Sequence, residues 1–213
     1  MLDITYKNLK YQFPEYYQCD YDWYKNAEND TKSFFMDVVQ KNHNIIDAGA
    51  QIGMYSVLFS KLTDGYIFAF EPTDTVQKLI KNLEYNDCKN VEVINKPLAN
   101  IDGTKKDKIF KLWSQNIIDE KDFEFVTIDS FVKSKNIAID IIKIDVDSYD
   151  YEVLLGSRET LITQNPIVVV ELNHALEKRG FKPSDGFSYM RDIGYEQIHF
   201  FDGDNYVFKK RKA

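Results

Sequence analysis

Residues 44–72, NIIDAGAQIGMYSVLFSKLTDGYIFAFEP, contain the pattern that decides the fold. A short apolar strand ends at Asp47, a turn of small residues follows, and an apolar helix begins near Met54. A second buried strand, residues 67–70, then ends in an acidic residue, Glu71. The order strand, turn, helix, strand and acid predicts an α/β unit whose turn faces a ligand.

The small residues of the turn indicate what the ligand is. Gly49, Ala50 and Gly53 carry little side chain, so we expect backbone N–H groups and the helix N-terminus to stay open to it. Glu71 follows Gly53 at about the 20-residue spacing at which an acid accepts the hydroxyls of a ribose. The unit therefore predicts a site for a nucleoside cofactor.

The spacing of the glycines bears on which cofactor is bound. NAD-type sites usually show G-x-G-x-x-G, whereas here Gln51 stands between Gly49 and Gly53. An acid before the two glycines, Asp47, is typical of S-adenosylmethionine sites, where its carboxylate can face the ammonium end of the cofactor. An NAD-type oxidoreductase remains the alternative, and so does a non-catalytic binding module that has kept the fold. The acids at the strand ends disfavour the non-catalytic module. Burying carboxylates costs desolvation energy, and a site without activity has no reason to keep them.

Several motifs in one order carry a resemblance to a known family. They are D-x-G-A-x-x-G-x-Y-S at 47–56, F-E-P at 70–72, V-T-I-D-S at 126–130, I-K-I-D-V-D at 142–147 and E-V-L-L-G at 152–156. Over residues 44–175 the chain resembles the FkbM family of S-adenosylmethionine-dependent methyltransferases. The resemblance implies O-methylation of a small acceptor, most often a sugar hydroxyl of a glycan or a glycosylated metabolite, and it implies no metal.

Two departures from the family pattern concern the site. The family usually has Asn where Gln51 stands, and Gln51 keeps the amide. It usually has Glu-Gly where Asp147 and Ser148 stand. Because Asp147 is one methylene shorter than Glu, a catalytic use of that position is open.

The predicted site residues lie at strand ends, where ligands of open α/β sheets bind. Leu98, after a third strand at residues 91–94, is our choice for an apolar contact with the adenine. The predicted cofactor-binding residues are Asp47, Gly49, Ala50, Gln51, Gly53, Tyr55, Ser56, Glu71, Pro72, Leu98 and Asp145.

Methylation of a hydroxyl needs a base within hydrogen-bond reach. The predicted catalytic residues are His174, Asp145 and Glu171. His174 suits the task because histidine's ordinary pKa is about 6.5, and the alternative is a surface position on a first helical turn. Asp145 is the competing base, or it orients the acceptor or the methyl group. Asp145, Asp147 and Glu171 also resemble an oxygen-rich cage for a divalent metal, which we do not favour.

The remaining patterns predict one α/β domain over residues 1–213. Residues 44–213 form a Rossmann-like core, a seven-stranded, mostly parallel sheet with helices on both faces, the class I methyltransferase fold. Residues 1–43 contain an aromatic-rich cap on the sheet edge, or a lid over the acceptor, and a leading helix from Asp30 or Thr31 to about Lys41. Residues 109–113 and 123–127 read as two added strands, and Trp113 is either buried there or lines a sugar site.

Composition limits the partners. A formal net charge of −7 argues against nucleic acid or an anionic membrane as the main partner. No apolar run approaches the roughly 20 residues that span a bilayer, and residues 1–13 lack the pattern of a signal peptide. Cys19 and Cys88 are far apart, which is typical of reduced thiols in a cytoplasmic protein. We therefore expect a small-molecule or glycan acceptor.

Overall fold

The computed structural model describes residues 1–26, 28–111, 117–201 and 204–211. The strands are Leu2–Tyr6 (β1), Leu9–Phe13 (β2), Ile45–Ala48 (β3), Ile67–Phe70 (β4), Val91–Ile94 (β5), Gly103–Lys111 (β6), Ile117–Phe125 (β7), Ile141–Ile144 (β8), Ile167–Glu171 (β9), Tyr195–Phe201 (β10) and Asn205–Lys210 (β11). The helices are Tyr21–Asn26 (α1), Asn29–Val38 (α2), Met54–Leu62 (α3), Val76–Tyr85 (α4), Ile128–Lys135 (α5), Asp150–Leu155 (α6), Arg158–Gln164 (α7) and Pro183–Asp192 (α8), with 3₁₀ segments at Gln18–Asp20 and His174–Arg179.

The central sheet has seven strands in the order β10-β11-β9-β8-β3-β4-β5. Strands β9, β8, β3, β4 and β5 are parallel, and β11 is antiparallel to both β9 and β10. The predicted α/β fold with a mostly parallel sheet is confirmed, including its antiparallel last pair. The carboxyl ends of the parallel strands lie at one edge, which is where such folds bind ligands.

Two apolar layers cover the sheet because alternate side chains of each strand point to opposite faces. On one face Ile46, Phe68 and Ile142 pack with α5, α6, α7 and α8. On the other, Ile45 and Ile67 pack with the β1–β2 hairpin, α2, α3 and α4. The central strands are buried on both sides, as their continuous apolar runs predict.

The N-terminal segment differs in detail from the sequence prediction. Strands β1 and β2 form a hairpin, with Lys7 in the left-handed conformation (φ 51°) at its turn. Helix α2 begins at Asn29 rather than at Asp30 or Thr31, and its N-cap Glu28 is also left-handed. It ends at Val38, because the next residue is extended, and so it does not reach Lys41.

Strands β6 and β7 pair with each other in a two-stranded sheet outside the central one. The two added strands were therefore predicted in kind but not in length, and Trp113 lies outside the described residues. Helices α5 and α7, which the sequence did not predict, are tied together through Asp129. Its carboxylate accepts hydrogen bonds from the backbone N–H groups of Glu159 and Thr160 at the start of α7.

None of the helices within the described ranges has the length and apolarity required to cross a bilayer.

Candidate active site

The turn between β3 and α3 is held by hydrogen bonds to the neighbouring strand. Gly49 N and Ala50 N both donate to the carbonyl of Phe70, at 3.0 and 2.9 Å. Gln51 N donates to Glu71 Oε2 at 3.0 Å, and Gly53 N donates to the carbonyl of Ala50. The prediction that the N–H groups of this turn stay open to a ligand is therefore wrong for these four, because strand β4 and the turn itself already use them.

The glycines instead permit close packing. Gly49 has φ 82°, and a Cβ there would lie 1.8 Å from the carbonyl oxygen of Asp145. Gly53 has φ 97°, and a Cβ there would lie 2.8 Å from Leu79 Cδ1. Position 49 therefore requires glycine for both conformation and space, and position 53 requires it for conformation, since the end of the Leu79 side chain can shift.

Glu71 is buried at the tip of β4 and organises the adjoining loops. Its carboxylate accepts the backbone N–H of Gln51 at 3.0 Å, and the N–H and hydroxyl of Thr73 at 3.0 and 2.5 Å. Asn95 donates to the Glu71 carbonyl at 2.7 Å. These bonds hold the carboxylate in one orientation at the wall of the main cavity, which Glu71 also lines.

Asp47 lies beneath the cavity rather than in its wall. It is fully buried, accepts a bond from Ser56 Oγ at 2.6 Å, and pairs in register with Lys143 of the adjacent strand β8. Lys143 Nζ lies 3.9 Å from Asp47 Oδ1 and 3.2 Å from Asp145 Oδ2. Burial raises the pKa of Asp47, while the Lys143 ammonium opposes that shift. Ser56 thus holds Asp47, Asp47 lies near the Lys143 ammonium, and that ammonium holds the Asp145 carboxylate at the cavity.

One cavity collects most of the predicted cofactor residues, together with the catalytic candidates Asp145 and Glu171. Those that line it are Gly49, Ala50, Gln51, Tyr55, Glu71, Pro72, Leu98 and Asp145. Asp47, Gly53 and Ser56 are outside that lining. The apolar side chains of Ile4, Phe13 and Ile109 complete the wall. A cavity with an apolar wall and a few converging polar groups is the usual form of a small-molecule site.

The acidic residues at the end of β8 and β9 face one another. Glu171 lines the cavity, and burial together with the Asp145 carboxylate raises its pKa to about 10. Burial and the same carboxylate raise the pKa of Asp150 to about 7. The raised pKa favours the protonated form of Glu171, which can donate a hydrogen bond.

His174 does not reach this cavity. It is exposed, at the first residue of the 3₁₀ segment that follows β9. Asn173 caps that segment by accepting a bond from Ala175 N at 2.7 Å, and the segment buries Ala175 and Leu176. This orientation leaves the imidazole on the solvent side. Asp145 and Glu171 are brought together, and His174 is not brought to them.

Within the described ranges, no group of three or more His, Cys, Asp or Glu side chains has an arrangement that could hold a metal ion. Asp145, Asp147 and Glu171 all line the cavity, but they do not form such a group.

A family model described as the methyltransferase FkbM domain matches residues 47–196. The chain belongs to the FkbM methyltransferase family. Among curated proteins, none matches the chain significantly.

Solved structures of several methyltransferases share the α/β fold of this chain at low identity. A methyltransferase FkbM from Methylobacillus flagellatus is 15% identical with a TM-score of 0.56, and the alignment covers 80% of this chain and 44% of that protein. A candidate methyltransferase from Streptococcus mutans, in complex with S-adenosylhomocysteine, is 12% identical with a TM-score of 0.56 over 88% and 99% of the two chains. A candidate rRNA methylase from Clostridium thermocellum is 12% identical with a TM-score of 0.55 over 89% and 98%. This chain therefore spans under half of the M. flagellatus protein, and the likeness shows the fold.

The departure of this FkbM domain at Asp147 and Ser148 has a structural consequence. Asp147 has φ 53° and Ser148 has φ 114°, a conformation that favours glycine. The Asp150 carboxylate holds the loop by accepting Val146 N at 2.9 Å and Ser148 N at 3.1 Å. Ser148 therefore occupies a strained position for which the usual glycine is suited.

Among the charged cavity residues that the sequence analysis missed are Glu28, Lys32 and Lys143. Lys143 had a visible signal, since it interrupts the apolar strand IDIIKI at residues 139–144. A charged residue in a strand that is buried on both faces needs a partner. Glu28 and Lys32 gave no such signal, because they stand in a polar stretch outside every motif.

Proposed function

We propose that the chain is an S-adenosylmethionine-dependent O-methyltransferase. Its proposed acceptor is a sugar hydroxyl of a glycan or a glycosylated metabolite. The observation that carries the proposal is Glu71. This acid is buried at a strand end, fixed by three hydrogen bonds from Gln51 and Thr73, and exposed to the cavity. A carboxylate so placed suits the two hydroxyls of a ribose.

The residues present fit a nucleoside with an apolar base. Glu71 would hold the ribose, Leu98 and Pro72 would contact the adenine, and the turn from Gly49 to Gln51 would lie along the cofactor. When bound, S-adenosylmethionine supplies an electrophilic methyl group on a sulfonium. The protein must exclude water and orient the acceptor, and the apolar side chains from the β1–β2 hairpin, Ile4 and Phe13, support that role.

Asp145 is our choice for the base. It lines the cavity with its carboxylate 3.2 Å from the Lys143 ammonium, which is buried and holds it in place. Glu171, protonated near neutral pH, would donate a hydrogen bond to an oxygen of the acceptor. A base and a donor side by side can orient a hydroxyl and accept its proton as the methyl group is transferred.

A small acceptor agrees with the charge of the chain. The net charge of −7 and the carboxylates of Asp145 and Asp147 at the cavity edge disfavour the approach of phosphates. Ribosomal RNA is nevertheless the second candidate, since a candidate rRNA methylase shares the fold. The free thiols Cys19 and Cys88 agree with a reaction in the cytoplasm.

Calorimetry with S-adenosylmethionine, S-adenosylhomocysteine and NAD tests the cofactor. We expect both sulfur nucleosides to bind and NAD not to bind; the reverse order would overturn the proposal. Transfer of a labelled methyl group to a panel of sugars, glycosylated metabolites and ribosomal RNA then tests the acceptor. Label that appears in RNA and in no sugar would replace the proposed acceptor with the second candidate.

A further inference from the structure

Lys32 is a buried cation without a hydrogen-bond partner. It lies on α2, lines the cavity, and is 4% exposed, yet its Nζ makes no hydrogen bond. Burial lowers its pKa. The Glu28 carboxylate opposes this shift without bonding to Lys32. The nearby Lys7 makes a contrast, because its Nζ lies at a similar distance from the same Tyr6 ring (5.7 Å, against 5.6 Å for Lys32) but is exposed and donates to Ser33 Oγ. A buried ammonium that makes no hydrogen bond is costly, which points to a ligand that accepts one from it.

Glu28 supplies the opposite charge one helical turn earlier. It also lines the cavity, and its carboxylate accepts a hydrogen bond from the Tyr55 hydroxyl and forms no ion pair with Lys32. Burial and the Asp145 carboxylate raise its pKa. Tyr55 lies in the first turn of α3, directly after the glycine turn, so the bond places Glu28 beside that turn. A cation without a hydrogen-bond partner and an acid therefore line the same cavity from the first turn and the N-cap of α2.

We propose that Lys32 and Glu28 bind the amino-acid end of S-adenosylmethionine, Lys32 the carboxylate and Glu28 the ammonium. This rests on the proposed function. An α-amino acid carries both charges on one carbon, which matches two opposite charges that lie at the N-cap and in the first turn of α2 and are not bonded to each other. The flexible four-carbon stem of Lys32 lets its ammonium meet the carboxylate. Tyr11 lines the same cavity, and its buried hydroxyl, which has no hydrogen-bond partner, is a further donor.

The position of the pair favours the cofactor over an anionic acceptor. Glu71 holds the ribose at the tip of β4, and its partner Gln51 lies in the turn that leads to Tyr55. The amino-acid end would then extend along this turn to Glu28. An acceptor with only an anionic group would leave Glu28 buried beside it without a cation. Both residues precede the matched FkbM domain at 47–196, so this assignment belongs to the N-terminal segment of this chain.

Two ligands, one with the amino-acid end and one without it, distinguish binding of that end from binding of the rest of the cofactor. S-Adenosylhomocysteine carries the amino acid, whereas 5′-methylthioadenosine keeps the adenosine and the sulfur and lacks it. We expect Lys32→Met to weaken S-adenosylhomocysteine by about 10- to 100-fold, as for a hydrogen bond between charged groups, and to leave methylthioadenosine affinity within about twofold. Glu28→Gln should show the same selectivity, and the exposed control Lys7→Met should change neither affinity. Calorimetry measures all of these.

The other outcomes decide against the assignment. If Lys32→Met leaves both affinities unchanged, or weakens both equally, Lys32 does not bind the amino-acid end. If the wild-type protein binds neither ligand, the proposed function itself fails. The melting temperature of the ligand-free variant checks folding, and it should equal or exceed that of the wild type because an unpaired buried charge is removed. Should Lys32→Met not fold, Lys32→Gln repeats both titrations with a polar side chain.

Discussion

Gly49 and Asp145 touch through their backbones at the ends of adjacent strands, so that a Cβ on Gly49 would lie 1.8 Å from the Asp145 carbonyl oxygen. Gly49→Ala would push β3 and β8 apart at the cavity and would strain a residue with φ 82°. We expect it to lower the free energy of unfolding by about 2–4 kcal/mol, from overpacking and backbone strain together. Urea denaturation measures the change.

Gly180 is the matched control for this substitution. It has the same φ of 82°, but a Cβ there would meet nothing within 4 Å. Gly180→Ala should therefore cost only the backbone strain, about 1 kcal/mol. Equal losses in the two variants would show that the contact with Asp145 contributes nothing.

Glu71→Ala tests the ribose contact. The substitution removes a buried acceptor that faces the cavity, and we expect S-adenosylhomocysteine binding to weaken by about 1.5–3 kcal/mol, the range for hydrogen bonds to a charged group. Calorimetry measures the affinity, and Glu92→Ala, an exposed acid paired with Lys135, is the control. Binding within twofold of wild type, in a variant that remains folded, would remove Glu71 from the site.

The strands of the site were predictable, and the N-terminal wall of the cavity was not. The bounds of β4, a continuous apolar run, and of β5 were predicted to the residue, and with β4 the place of Glu71. Lys32 lines the cavity from the first turn of α2, and that helix follows the left-handed N-cap Glu28. No local pattern encodes that long-range docking. His174 failed for a related reason, since the Asn173 cap sets which side of one turn faces solvent.

Ser148→Gly should stabilise the protein. Ser148 has φ 114°, and its buried hydroxyl has no hydrogen-bond partner, so the serine is strained and unsatisfied. Glycine relieves both costs, while its greater entropy in the unfolded state offsets part of the gain. We expect the free energy of unfolding to rise by about 1 kcal/mol. Thermal and urea unfolding measure it. In contrast, Ser134→Gly, inside α5, should destabilise by roughly 0.5–1 kcal/mol. A loss at both positions would contradict the strain at Ser148.

Glu171 should make stability depend on pH. Its pKa is raised from 4.5 to about 10 by burial and the Asp145 carboxylate, so the folded protein holds a proton that the unfolded chain releases above pH 4.5. The stabilisation is complete below that pH and is lost as pH rises towards 10, with a slope of up to about 1.4 kcal/mol per pH unit. Glu171→Gln should flatten this fall between pH 5 and about 9, whereas the exposed control Glu196→Gln should not. Parallel profiles for wild type and Glu171→Gln would show that Glu171 is ionised in the folded protein.

Asp145 and His174 make opposite predictions for the base. Asp145 lines the cavity beside Lys143, whereas His174 is exposed to solvent at the start of the 3₁₀ segment. We expect Asp145→Asn to lower turnover by about 10²–10⁴-fold, the usual contribution of general base catalysis. His174→Ala should retain more than about a third of the wild-type turnover, since removal of a base would cost far more. The wild-type rate should also show no inflection near pH 6.5, where histidine side chains ordinarily titrate. Release of S-adenosylhomocysteine measures both rates, and its affinity for each variant separates turnover from binding. A large loss in His174→Ala with normal binding, together with an inflection near pH 6.5, would return the role to the histidine and require the 3₁₀ segment to rearrange when the acceptor binds.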